Sequence, residues 1–237
     1  MSDELLQVRR LRAWCGRAQI LFDVSLEVGR GEVVALMGRN GAGKSTIFKA
    51  VMGLLERVEG DVLFRGRSLH GLEAFQIARL GLGYVPEDRR IFGELTVLEN
   101  LEVGRRDQSG QAPRWNADKL FRLFPNLGEM PGRLGRRMSG GEQQMLTVAR
   151  TLMGNPLLVL LDEPSEGIAP RIVEDMANMI LELKREGLSV LLSEQNLHFA
   201  RLVCDRAYVI EKGQVRYEGT MPELARDERV KKEYLAV

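Results

Sequence analysis

The chain has 237 residues, 44% of them hydrophobic and 28% charged, the composition of a soluble globular protein with one large or two small domains. Its formal charge is only +1, and its basic residues are scattered rather than blocked, which argues against a nucleic-acid partner. Cys15 and Cys204 lack CxxC spacing and His70 and His198 form no cluster, which argues against a disulfide framework or a zinc site and predicts a reducing compartment.

At the start of the chain, Asp3 and Glu4 stand where a signal peptide would carry basic and then apolar residues. No later apolar run approaches the roughly 18 to 20 residues that span a bilayer, so a soluble, cytosolic chain is expected. The first 37 residues alternate apolar and polar positions, as in Val24-Ser-Leu-Glu-Val28, and predict antiparallel strands. After a Gly29-Arg-Gly31 turn, Glu32-Val-Val-Ala-Leu-Met37 has the pattern of a buried strand. It runs into Gly38-Arg39-Asn40-Gly41-Ala42-Gly43-Lys44-Ser45, and Thr46 to Leu55 then reads as a helix with an apolar face. Glycines let such a loop curl so that successive backbone N–H groups converge on an anion at the helix N-terminus. The full pattern between a strand and a helix predicts a phosphate cup for ATP or GTP, with Lys44 and Ser45 at its rim and Thr46 behind them.

Gly60 to Gly66 and Gly81 to Pro86 are further short strands. From Glu87 to about residue 154 the pattern turns helical, with Leu95 to Leu101, Ala117 to Phe124 and Glu142 to Met153 as helices interrupted by Gly and Pro. Buried strands return at Leu157-Leu-Val-Leu-Leu161 and Leu188-Ser-Val-Leu-Leu192, with a helix from about 170 to 186 between them. Strands alternating with helices imply a parallel sheet. The expected organisation is a single α/β nucleotide-binding domain of residues 1–237 without internal repeats. Residues 1–86 and 155–237 form its core, with an N-terminal antiparallel β part, and residues 87–154 form an inserted helical subdomain.

The strand at 157–161 delivers Asp162 and Glu163 to one edge of the sheet. Asp162 can hold hydrated Mg²⁺ together with the Ser45 hydroxyl, and Glu163 can polarise the water that attacks the γ-phosphate. Upstream, Met138-Ser139-Gly140-Gly141-Glu142-Gln143 opens a helix, with Ser139 placed to cap it and Glu142 to complete a capping box. That segment resembles the signature motif of ABC ATPases, and the order of the three motifs extends the resemblance over essentially the whole chain. The resemblance implies a P-loop (RecA-like) core with a mixed sheet, and ATP rather than GTP as the nucleotide. It also implies a head-to-tail dimer, in which the phosphate loop of one chain and Ser139, Gly140, Gly141 and Glu142 of the other sandwich each ATP.

Against the family pattern, Glu87 stands where a glutamine usually reaches Mg²⁺ and the attacking water. A carboxylate can bind the cation there but adds charge near the triphosphate, which Arg89 and Arg90 either offset or leave alone as solvated loop residues. The aspartate usual before Pro170 is absent, and Gln195 occupies the position of the switch histidine, with His198 three residues too late. As a neutral donor, Gln195 can still reach a γ-phosphate oxygen, with less charge stabilisation than an imidazolium. Register puts Cys15 where an aromatic ring usually stacks on adenine, and Trp14 is the alternative.

Glu87 in its Val-Pro-Glu-Asp-Arg-Arg setting, Glu166-Gly-Ile-Ala-Pro170, Glu194-Gln-Asn196 and the ending Tyr234-Leu-Ala-Val237 resemble the LivF-type ATPase of branched-chain amino-acid importers. The resemblance implies a peripheral subunit at the cytoplasmic face of the inner membrane. Its partners would be a second ABC ATPase and two membrane permeases, served indirectly by a periplasmic binding protein. Urea or amide import, lipopolysaccharide-type export and a soluble non-transport ABC ATPase are the alternative readings, and Gln195 argues against the exporter.

Overall fold

The computed structural model describes residues 4–106 and 115–235. Strands β1 (Glu4–Cys15) and β2 (Ala18–Gly29) form an antiparallel hairpin, as their alternation predicts. With β4 (Arg57–Phe64) and β5 (Arg67–Ser68) they make a four-stranded sheet in the order β2-β1-β4-β5. The remaining strands are β3 (Val33–Met37), β6 (Leu82–Val85), β7 (Leu158–Asp162), β8 (Ser189–Glu194), β9 (Arg206–Glu211) and β10 (Gln214–Thr220). They form a six-stranded sheet ordered β10-β9-β3-β8-β7-β6, parallel except for the antiparallel β9–β10 pair. The α/β fold with a mixed sheet and an antiparallel N-terminal part is therefore the one expected.

Every residue of β3, β7 and β8 is buried, as the near-continuous apolar runs require of a sheet covered on both faces. Successive side chains of a strand point to opposite faces, so one strand feeds two cores. Leu158, Leu160 and Leu191 join the core beneath the antiparallel sheet, packed with Ile47, Phe48 and Val51 of helix α1 (Lys44–Val51). Val159, Leu161, Val190 and Leu192 join the opposite core.

That second core is closed by the helices between β6 and β7 and by the long helix after β7. They are α3 (Val97–Gly104), α4 (Ala117–Leu123), α5 (Pro125–Gly128), α6 (Gly140–Leu152) and α7 (Pro170–Arg185), following the short α2 (Ala74–Arg79). Helix α8 (Leu197–Val203) and α9 (Met221–Arg226) cover Ala35 and Met37 of β3 near the C-terminus.

Helix boundaries depart from the sequence expectation for local reasons. Helix α1 stops at Val51 instead of Leu55, because Gly53 takes φ +65 and a side chain there would lie 2.7 Å from the Leu72 carbonyl. Helix α3 begins at Val97 instead of Leu95, because Thr96 and Glu99 form a capping box that apolar periodicity alone does not reveal.

Candidate active site

The parallel register aligns the carboxyl ends of neighbouring strands, with Met37 opposite Glu194 and Asp162 opposite Ser193. Loops leaving β3, β7 and β8 therefore meet at one edge of the sheet, where open α/β folds bind ligands. Gly43 ends the first of these loops as the N-cap of α1 with φ +111, and a side chain on it would approach Leu21 to 2.9 Å. Lys44 and Ser45 are thus carried in the first turn of the helix, followed by half-buried Thr46.

Lys44 is buried, and its ammonium donates to the carbonyls of Gly38 (2.7 Å) and Arg39 (3.1 Å). It also makes a 2.9 Å ion pair with Glu163 Oε1. Gln195 Nε2 donates to Glu163 Oε2 at 2.9 Å and to Asn40 Oδ1 at 2.6 Å. Phosphate-loop, strand-end and switch positions far apart in sequence are thereby joined in one chain of contacts. Gly41 and Ala42 lie within the same loop, with the Ala42 N–H donating to the Arg39 carbonyl at 3.1 Å.

Asp162 is buried and its carboxylate is gripped by three hydroxyls. Ser193 Oγ donates at 2.6 Å and Ser45 Oγ at 3.0 Å to Oδ1, and the Tyr84 hydroxyl donates at 3.3 Å to Oδ2. Burial pushes the Asp162 carboxyl upward, and these hydroxyl donors oppose the shift. Glu163 is the reverse case: burial pushes it upward, yet donation from Glu166 and Lys44 outweighs burial and holds it below the usual carboxylate range. Glu166, beside it, is shifted in the opposite direction. Its hydrogen bond to Glu163, followed by desolvation, pushes it up to about 7.

Glu163 has φ 46, a left-handed conformation that a residue with a side chain keeps only when its surroundings impose it. Its N–H is held by the carbonyl and hydroxyl of Ser193, at 3.2 and 3.0 Å, while Lys44 and Gln195 hold its side chain.

The Ser45 hydroxyl and the Asp162 carboxylate are adjacent hard oxygen donors, a pair that fits Mg²⁺ shared with substrate phosphates. Among the described residues no group of three or more His, Cys, Asp or Glu forms a metal cage. Glu87 is exposed on the loop after β6, and no hydrogen bond ties it to Ser45 or Asp162. Arg90 pairs with Asp88 at 2.8 Å and the Arg89 guanidinium lies against Gly140.

Ser139 caps α6 and forms the expected capping box with Glu142, with Gly140 and Gly141 opening the helix. Among the described residues, no hydrogen bond or ion pair joins this turn to the phosphate loop; Glu142 instead faces Arg133 at 3.7 Å. Trp14 is half-buried with the Arg57 guanidinium 3.9 Å over its ring, whereas Cys15 is exposed, as is His198 on α8.

Three positions in contact with the candidate site escape sequence reading. Ser193 and Tyr84 look like ordinary strand residues, and only the sheet register brings them to Asp162. Glu194 is buried and accepts the N–H groups of Ser165, Gln195 and Asn196, tying the loop after Glu163 to the end of β8. The Glu-Gln-Asn triplet was the signal available for it.

A family model described as "ABC transporter" matches residues 21–166. The high-affinity branched-chain amino acid transport ATP-binding protein BraG of Pseudomonas aeruginosa is 42% identical, over 98% of this chain and 99% of its own. The lipopolysaccharide export system ATP-binding protein LptB of Haemophilus influenzae is 39% identical, over 92% of this chain and 91% of its own. A nucleotide-free ATP-binding cassette from an ABC transporter superimposes with a TM-score of 0.82 at 28% identity, over 99% of both chains.

Proposed function

The chain belongs to the ABC transporter ATP-binding family and hydrolyses ATP, and from that premise we propose that it powers import of branched-chain amino acids or closely related small solutes through a membrane permease. The observation that carries the catalytic part is the contact chain Lys44–Glu163–Gln195–Asn40 beside the Ser45–Asp162 pair. In it, Lys44 and the amides of residues 38–46 bind the triphosphate, Ser45 and Asp162 would hold Mg²⁺, and Glu163 is the general base. Bound there, Mg²⁺ would neutralise charge on the phosphate oxygens.

ATP phosphates compete with Glu163 for the Lys44 ammonium. Once Lys44 turns to phosphate, Glu163 is free to accept a hydrogen bond from the attacking water. Gln195, released from Asn40, donates its amide to a γ-phosphate oxygen. Glu87, exposed on the loop after β6, would supply a further carboxylate to the cation. Adenine stacks beside Trp14 or Cys15, with Trp14 already carrying Arg57 on one face.

Ser139 to Glu142 supply the opposite wall of the site in trans, so the working unit is a head-to-tail dimer with a second ABC ATPase. In this reading residues 87–154 act as a subdomain of the nucleotide-binding core. Between the two, Leu54, Phe75, Phe92 and Val103 line a groove of about 420 Å³, and each exposes roughly half its surface. An apolar patch on a polar rim suits the cytoplasmic segment of a permease. No helix among the described residues is long and apolar enough to cross a membrane, which suits a peripheral subunit at the cytoplasmic face of the inner membrane. The periplasmic solute-binding protein acts on the permeases and never meets this chain.

BraG and the Glu194-Gln195-Asn196 triplet support the importer. Similarity to LptB favours a lipopolysaccharide-export role as the second reading, against which the glutamine at position 195 counts. Tagging the chain at native expression, solubilising membranes gently and identifying its companions by mass spectrometry tests the proposal. A second ABC ATPase with two permeases is expected, followed by loss of branched-chain amino-acid uptake on deletion. Recovery only from the soluble fraction, with ribosomes or nucleic-acid proteins, would overturn it.

A further inference from the structure

Ser193 follows Val190, Leu191 and Leu192 in β8, precedes buried Glu194, and is itself fully buried. A hydroxyl in such a place is costly unless its hydrogen bonds are made. Its single proton goes to Asp162 Oδ1 at 2.6 Å, which leaves its lone pairs to accept the Glu163 N–H at 3.0 Å. One side chain therefore grips the carboxylate of one acidic residue and the backbone of the next.

Of the three hydroxyls on Asp162, Ser193 makes the shortest contact and is the only one in β8. Ser45 sits on the phosphate loop and must turn a lone pair toward any cation it shares with Asp162. Its donation to Oδ1 then weakens, and Ser193 and the longer contact from Tyr84 are left to fix the carboxylate. The same Ser193 hydroxyl helps to hold Glu163 in its left-handed conformation, from which the carboxylate reaches Lys44 and Gln195.

We infer that Ser193 is a positioning residue that aligns Asp162 for the cation and Glu163 for water as one hydrogen-bonded unit, an inference that rests on the roles proposed above for those two residues. Partners that orient a metal-binding carboxylate typically change metal affinity by tenfold or more when removed. A residue that merely filled space would act through its shape instead.

Threonine and valine separate the two roles, because they share a shape and differ in the hydroxyl. The full chain is titrated with Mg²⁺ at a fixed concentration of a non-hydrolysable ATP analogue, and thermal stabilisation gives the half-saturating Mg²⁺. Ser193→Val is expected to raise that concentration about tenfold relative to Ser193→Thr, with analogue binding in EDTA equal for both. ATPase turnover should fall in the valine variant and be kept in the threonine variant. Equal Mg²⁺ dependence for Val and Thr overturns the inference. Should neither branched side chain be accommodated, Ser193→Ala against the parent makes the same comparison without added volume. Asp162→Asn is run alongside. If it leaves Mg²⁺ dependence unchanged, the cation-site assignment itself fails; if it shifts the dependence while Val matches Thr, only the role of Ser193 fails.

Discussion

The phosphate-loop edge of the sheet and the Ser139–Glu142 turn hold their charged groups differently: at the first, side chains from distant parts of the chain pair with one another, and at the second the pairing stays within one turn. At the sheet edge, Lys44 is buried against Glu163 and two carbonyls, and Gln195 closes the loop onto Asn40. At the turn, the capping box satisfies Ser139 and Glu142 locally, and the opening glycines lie against Arg89 and Ile172 rather than against the loop. Charge pairing within the chain must be broken where a ligand takes one of the partners. At the α6 N-terminus the Glu142 carboxylate already takes the Ser139 N–H, and the glycines that follow leave the backbone of the turn uncovered by side chains of their own. Under the function proposed above, the sheet edge would capture nucleotide and the turn would take part in closure.

Breaking the saturated side should have the largest effect. Lys44→Ala removes the ammonium that meets the phosphates and leaves Glu163 buried without its cation, so both ATP binding and turnover should be lost. Glu163→Gln keeps a hydrogen-bonding side chain beside Lys44 while removing the base, so ATP binding should persist as turnover falls by about 10² or more. Equal ATPase rates for Glu163→Gln and the parent would refute the assignment of the base. On the other side of the comparison, Ser139→Arg should leave ATP binding to the isolated chain intact and sharply reduce hydrolysis in the assembled dimer. Loss of binding by the isolated chain would show that the turn belongs to the same-chain site after all.

Legibility in the sequence followed the range of the interaction. The phosphate loop, the Asp162-Glu163 pair and the Ser139–Glu142 box are contiguous, so spacing along the chain reveals them, and the buried strands β3, β7 and β8 announce themselves as apolar runs. What joins them was not readable, because register across β7 and β8 decides that Ser193 faces Asp162, and β6 must be placed before Tyr84 can reach it. Gln195 was recognised by position, while its contacts with Asn40 and Glu163 required the fold. At Trp14, register along the chain offers an alternative to Cys15 for adenine, while the Arg57 guanidinium over its ring becomes visible only once β4 pairs with β1.

Gln195 sharpens the comparison at smaller scale, because it bridges the loop and the base without carrying charge. Gln195→Ala should reduce turnover several-fold, less than loss of the base, because a neutral donor contributes less than a charged one. The reduction should be confined to sites built on this chain's phosphate loop; unchanged turnover would mean that the partner ATPase carries the hydrolysis that matters.

The smallest effect concerns Glu166, which completes the saturation of Glu163 from an exposed position. Its carboxyl is pushed up to about 7 by the hydrogen bond to Glu163 and then by partial desolvation, with Glu163, Glu87 and Glu194 adding negative charge around it. Because the folded value lies above the ordinary one of 4.5, the folded state holds this proton more tightly than the unfolded chain does. The stabilisation is complete below the ordinary value and is lost as pH rises through about 7, when two carboxylates come to face each other. The melting temperature of the parent should therefore carry a downward slope between those two values. Glu166→Gln, whose amide donates at every pH, should remove that part of the slope while leaving the rest of the profile in place. Matching slopes for the two proteins would mean that Glu163 is held by Lys44 and Gln195 alone, and that the charge balance of the site ends with those two side chains.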